Sequence, residues 1–284
     1  MNTKENKELW VGKVVDILKI GGRSDNTIIN YTSALNRFLN YYNEDVDISK
    51  FNEEDVLDYA KSEFLSADKA SSTYNANLSA IVLLFLVCFH KEFNRRLLPR
   101  SKDKKRLPKI LERTRFLEIV NKEKNQKHKC WLLLAFCCGL RVDEVARVMI
   151  EDIDTKEFKL KVIGKGNKER YTLLCPLVIK HLRLYYKSKG MIKRNGYLFE
   201  GVGSKEYCSS RAISNYFNSV KKKYNLEDEI TFHSLRHSFA TYFLMKYNDL
   251  VTLKEIMGHV SIKTTMKYLH LVINFKKYVG ENNG

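Results

Sequence analysis

No stretch of this 284-residue chain is long and apolar enough to span a bilayer, the longest apolar run being Ala80 to Phe89. The opening residues, Met1 to Trp10, are polar and lack the apolar segment of a signal peptide, which predicts a soluble protein of the cytoplasm. Six cysteines are present, Cys88, Cys130, Cys137, Cys138, Cys175 and Cys208, yet none are spaced C-x-x-C and all have apolar neighbours in the sequence. They read as small reduced core residues, so neither a disulfide framework nor a metal site is indicated. Internal repeats and low-complexity tracts are missing too. What remains is a globular chain, too long for one ordinary core and comfortable for two, with 44% hydrophobic and 12% aromatic residues to fill them.

Acidic residues run short in only one part of the sequence. Residues 1–100 hold 13 Lys and Arg against 14 Asp and Glu, whereas residues 101–284 hold 37 against 19, so the whole net charge of +17 belongs to the second part. Scattered lysines usually make a solvated surface, but an excess confined to one domain points to a polyanionic partner.

The first part reads as helices. Ser24 or Asp25 can cap a segment whose apolar positions Ile28, Tyr31, Leu35, Phe38, Leu39 and Tyr42 recur at steps of three and four. Asn52, followed by Glu53, Glu54 and Asp55, starts another, because acidic side chains favour the positive end of a helix. A third begins near Ser71 to Thr73 and runs through Ala80 to Phe85, apolar nearly all round, which predicts the buried centre of a four-helix bundle. Lys102, Lys104, Lys105 and Arg106 crowd a polar stretch that ends at Pro108 and reads as a solvated linker. The predicted domains are residues 1–99 and 108–284, joined by residues 100–107.

Beyond the linker, helical segments at Leu117 to Val120 and Cys130 to Cys138 lead to a turn at Gly139 and a helix from Val142. Phe158 to Val162 alternates, turns at Gly164 to Lys168 and is answered by Tyr171 to Leu173, the pattern of a β-hairpin. Pro176 fits the first turn of the next helix, Ser209 can cap another ending near Tyr224, and from His233 the pattern is helical with breaks at Asn248 and Gly258. Leu271, Phe275, Tyr278 and Val279 then give a tail helix an apolar stripe. The expected fold is mainly α: a helical bundle, then a mixed α/β domain, mostly helical, with a small antiparallel sheet.

Four motifs follow one another in this second domain. They are Gly139-Leu140-Arg141-Val142-Asp143-Glu144, Gly164-Lys165-Gly166-Asn167-Lys168-Glu169-Arg170, His233-Ser234-Leu235-Arg236-His237, and the segment from Gly258-His259 to Tyr268. No single piece is rare. Their order and spacing, with steps of three from His233 to Arg236, 23 on to His259 and nine on to Tyr268, resemble the active site of the tyrosine recombinases, the phage integrase family.

That resemblance implies a fold, a chemistry and partners. Residues 1–99 would be the SAM-like core-binding domain and residues 108–284 the catalytic domain. Tyr268 would attack the scissile phosphate, leaving a 3′-phosphotyrosyl ester that stores the bond energy for rejoining. Arg141 and Arg236 would hold the non-bridging oxygens with their planar donor forks, His259 would add a hydrogen bond, Lys165 would protonate the departing 5′-oxygen and His233 would act as general base. Lys168 competes with Lys165 for the acid role, and His237 and His270 read as satisfied core groups. Glu144 would orient Arg141 or a histidine. Lys102, Lys104, Lys105, Arg106, Lys168 and Arg170 are the candidate phosphate contacts. No metal and no nucleotide cofactor are implied. The partner would be double-stranded DNA with inverted half-sites, bound by a dimer and brought together in a tetrameric synapse. A type IB topoisomerase and a catalytically silent architectural DNA-binding protein are the rival readings.

Overall fold

The computed structural model describes residues 2–65, 71–101, 107–164, 168–190, 194–201, 203 and 206–281, with the backbone alone at 64, 65, 72 and 274–281. The chain divides into two compact units, Met1–Lys105 and Arg106–Gly284. The first is built from α1 (Lys4–Ile20), α2 (Asp25–Tyr41), α3 (Glu53–Ala60) and α4 (Ser71–Phe89). Asn52 starts α3 with a reciprocal capping box, its Oδ1 accepting from Glu54 and Asp55 while Asp55 accepts from the Asn52 backbone at 2.7 Å. The α2 helix ends without a glycine. Its last carbonyls find another donor, the buried Asn2 amide, at 2.9 Å from Leu39 O and 3.0 Å from Tyr42 O.

The helix α4 packs against α1 and α2, burying Leu78, Ala80, Ile81, Leu84 and Phe85 around Phe38 of α2. It is central, as its apolar sequence predicts, although Leu86 remains exposed on its outer side. The helix α1 carries no such signal. Its apolar residues fall on every side, with Val14 and Leu18 buried while Leu9, Ile17 and Ile20 face solvent, so no periodic stripe marks it.

The second unit opens with α5 (Arg113–Lys122), α6 (Gln126–Cys138) and α7 (Val142–Ala146). A three-stranded antiparallel sheet follows in the order β1 (Ile153–Asp154), β2 (Lys159–Ile163), β3 (Glu169–Leu173). Then come α8 (Pro176–Ser188), α9 (Ser210–Lys223), α10 (Phe232–Tyr247), α11 (Leu250–Met257) and α12 (Ile262–Glu281). The helix α6, buried along most of its length, is the core about which α8 and α10 pack. On the hairpin, β2 pairs with β3 so that Val162 opposes Arg170 and Leu160 opposes Thr172; with the period of two, these four share the inward face. Of the predicted tail stripe only Leu271 falls among the described side chains, packed partly buried on the core of α10 and α11; Phe275, Tyr278 and Val279 lie outside them. All six cysteines are free thiols, three buried and three half-buried. Among the described residues no helix is long and apolar enough to cross a membrane.

Candidate active site

Two helix ends and one carboxylate build the centre of the second unit. The helix α6 stops at Gly139 and α11 stops at Gly258, both left-handed, with φ 67° and 61°. These turns leave carbonyl groups pointing at one point, where Arg236 of α10 arrives. Its Nη1 donates to Gly139 O, its Nη2 donates to Met257 O, and Glu144 Oε2 lies 3.5 Å from Nη1. The negative ends of two helices thus meet a guanidinium that is 1% exposed. Burial and the neighbouring Arg141 lower the Arg236 pKa to about 9, against the opposing pull of Glu144, which leaves it charged at neutral pH.

Glu144 holds three arginines. Its carboxylate accepts the Arg141 backbone N–H at 2.7 Å and Arg141 Nη1 at 2.9 Å, since Arg141 stands just ahead of α7 and Glu144 within its first turn. The Arg170 fork meets both oxygens at 2.8 Å, the bidentate geometry for which guanidinium is suited. Burial alone would raise this carboxyl; the hydrogen bonds and charge of Arg170, the charge of Arg236 and the Arg141 N–H outweigh it and hold it at about 2.

Arg170 therefore does not belong with the phosphate contacts. On β3 it shares the inward face with buried Thr172, its side chain is 9% exposed, and its Nε donates to Ile256 O at 2.7 Å beneath the end of α11. The alternation of the strand already contains this orientation. Lys168, by contrast, is exposed, and its carbonyl closes the hairpin by accepting from Gly164 N at 2.9 Å. Lys165 lies outside the described residues, as do Lys102, Lys104, Lys105 and Arg106. The neighbouring Gly164 is against the site, where a Cβ would lie 3.8 Å from Glu144 Oε1.

Tyr268 is on α12, 1% exposed. Burial raises its pKa to about 12, with Arg236 and Arg141 pulling the other way. Its hydroxyl lies 2.8 Å from His237 Nδ1, so the group read as a mere core histidine is the direct partner of the family tyrosine. The signal was its place one turn after His233, on the same face of α10. His233 is exposed at the rim, and partial desolvation with the charges of Arg236, Lys267 and Arg141 lowers it to about 4. His259 is tied by Nδ1 to Thr265 Oγ1 at 2.9 Å, one turn ahead of Tyr268, and burial with Arg236 and Arg141 lowers it to about 3. Lys267, half-buried with its Nζ 5.0 Å from the centre of the Tyr268 ring, is a further cation that the motif spacing does not single out. His270 is exposed rather than a core group.

The cluster gathers Arg141, Arg236, Lys267, three histidines and a buried phenol around one carboxylate already occupied by arginines. What such a set is suited to receive is an anion. The two glycine turns are needed to build it. In Gly139→Ala the left-handed φ is unfavourable and the new Cβ would sit 2.4 Å from Phe239 Cδ1. A loss of about 2–4 kcal/mol in denaturant unfolding is expected from strain plus overpacking. Gly190→Ala, with φ 57° and open space around it, should lose only about 1–2 kcal/mol. Equal losses would remove the packing contribution.

Comparison with known proteins agrees with this geometry. Residues 105–274 match the phage integrase family and residues 16–90 match the phage integrase N-terminal SAM-like domain. Tyrosine recombinase XerD of Staphylococcus saprophyticus is 30% identical over 268 residues, covering 88% of this chain and 89% of that protein. Tyrosine recombinase XerA of Pyrococcus horikoshii is 30% identical over 279 residues, covering 93% and 91%. In fold the chain is similar to a lambda integrase dimer bound to a COC′ core site, with a TM-score of 0.72 at 18% identity and 92% and 94% coverage. XerH recombinase bound to difH substrate gives 0.71 at 18%, covering 93% and 91%. With both units matched and the arginines, histidines and tyrosine gathered at one centre, the chain belongs to the phage integrase family, the tyrosine recombinases.

Proposed function

We propose that this chain cuts and rejoins double-stranded DNA at a specific site through a 3′-phosphotyrosyl intermediate at Tyr268. The observation that carries the reading is the meeting of Tyr268 with Arg141 and Arg236, brought from three separate segments to a centre whose carboxylate, Glu144, is already paired with arginines. In the proposed step the Tyr268 oxygen bonds to phosphorus as the bond to the 5′-oxygen breaks. Arg141 and Arg236 offset the charge on the non-bridging oxygens, with His259 adding a hydrogen bond. His233, open at the rim, takes the phenol proton as the oxygen bonds to phosphorus, the stage at which that proton becomes strongly acidic. Lys165 gives a proton to the 5′-oxygen, and the reverse sequence on a partner strand restores the phosphodiester.

The second part of the chain, with its excess of basic residues, is the proposed main holder of the duplex. Lys168 and the linker residues Lys102, Lys104, Lys105 and Arg106 are proposed to lie along phosphates. Dimers on inverted half-sites and a tetrameric synapse complete the proposal, since strand exchange needs four cleavable strands and one tyrosine for each. The lambda integrase structure named above, a dimer on its core site, supports the dimeric arrangement.

The test is incubation with a nicked suicide site. A protein–DNA adduct that survives denaturant is expected, and recombinant rather than merely relaxed product from an intact pair of sites. Relaxation alone would make the chain a topoisomerase, and absence of any adduct would make it a DNA-binding module.

A sharper expectation attaches to Lys165. Lys165→Ala should cleave an ordinary site about 10²–10⁴ times more slowly, the usual range for loss of a positioned acid. A bridging 5′-phosphorothiolate, whose sulfur leaves without a proton, should restore cleavage. Equal defects on both substrates would remove the acid role, and rescue of Lys168→Ala instead would transfer it.

A further inference from the structure

The reaction scheme leaves His237 idle, yet it is the residue that touches the nucleophile. Its Nδ1 lies 2.8 Å from the Tyr268 hydroxyl, the two rings are 5.7 Å apart between centroids, and its ring meets that of His233 edge-on at 4.4 Å. Tyr268 and Arg236 are each 1% exposed. With Tyr268 buried in this arrangement, access of a phosphorus to the phenol oxygen calls for a shift of the Tyr268 segment of α12. Among the described residues, the hydrogen bond at that oxygen that opposes such movement is the one to His237.

Given the proposed role of Tyr268, we propose that His237 is a positioning residue that latches the nucleophile in the DNA-free protein, its ring accepting the phenol hydrogen bond and keeping Tyr268 buried and protonated until α12 shifts. The imidazole with its proton on Nε2 presents the Nδ1 lone pair that this requires. Its surroundings suit an acceptor rather than a proton carrier. Burial together with His233, Lys267, Arg236 and His259 holds the His237 pKa at about 3, while burial lifts that of Tyr268 to about 12. With the two so far apart, the proton stays on oxygen.

Two substitutions separate a latch from a base. His237→Ala removes the acceptor, whereas His237→Asn sets a carbonyl oxygen near the Nδ1 position but cannot take up a proton near neutral pH. The measured quantity is the first-order rate of adduct formation on a suicide-nicked site at saturating protein. The Ala variant should react about tenfold faster, the factor that one buried hydrogen bond commands, and the Asn variant should stay close to the wild-type rate. Slowing of the Ala variant would overturn the latch, and equal slowing in both would make His237 a proton acceptor instead. Unchanged rates in both would show that the bond restrains nothing. Tyr268→Phe is run alongside: an adduct in that variant rejects the nucleophile itself, whereas no adduct there with an unaccelerated His237→Ala rejects the latch alone.

Discussion

In Tyr268→Phe, DNA binding is expected to persist within about twofold while the covalent adduct disappears altogether. The phenol hydroxyl is the atom that bonds to phosphorus in the proposed reaction, and no other group in the site replaces it as a nucleophile. Removing it deletes one hydrogen bond to His237 and leaves the ring, which is what fills the space between α10, α11 and α12. Affinity for a polyanion depends mainly on the count of phosphate contacts and the salt concentration, to which a buried ring adds nothing. The measurement pairs a gel-shift titration with a denaturing gel of the same samples. An adduct in the Phe variant would move the nucleophile to another of the 16 tyrosines.

Glu144→Gln should be the most destabilising polar substitution in the second unit, by about 3–5 kcal/mol, the usual cost of removing one partner from a buried ion pair. The amide keeps the shape but leaves Arg170 and Arg236 facing each other with their shared counter-charge gone. The pH dependence gives a second handle. With its folded pKa depressed from 4.5 to about 2, the Glu144 carboxylate contributes stability that is fully present above pH 4.5 and fades as the pH falls through about 2. A depression of that size is worth ~3 kcal/mol at neutral pH and about half as much at pH 3, so the gap between wild type and variant should narrow on acidification. Denaturant midpoints at pH 7 and pH 3 supply the comparison. A gap independent of pH would mean that shape, rather than charge, is what Glu144 provides. Arg170→Met in the Gln background should recover part of the loss by removing one unpaired cation.

Much of this architecture can be read from residue order alone. The Asn52 cap, the apolar stretch of α4, the alternation of β2 and β3, Pro176 at the start of α8 and the glycine at the end of α6 all act locally, within a few residues of where they stand. The α1 helix lacks a one-sided stripe, because Leu9, Ile17 and Ile20 face outward. The two-residue β1 is too short to alternate. In the site, the motif spacing locates Arg141, Arg236, His259 and Tyr268, but it is blind to pairings between segments. That Arg170 bonds Glu144 across 26 residues depends on the hairpin folding back beneath α11. That His237 rather than His233 meets the phenol depends on how α12 crosses α10, which no local pattern encodes.

The pair of helix ends converging on Arg236 bears on the temperature dependence of the proposed DNA cleavage. A free arginine side chain carries about 2 kcal/mol of rotamer entropy, which is lost when it fastens onto a phosphate. Here Gly139 O and Met257 O fix the guanidinium before any ligand arrives, so that freedom is surrendered during folding of the chain. Three donor contacts are spent on the protein, and the guanidinium has five N–H groups in all, which leaves a pair for phosphate oxygen. Phosphate capture at this position should accordingly carry little entropic penalty, while Arg141, 36% exposed and held on one side by Glu144, has more freedom to lose. In the proposed reaction the two arginines, alike in chemistry, would enter the transition state with different thermal signatures, the buried one being also part of the folded framework.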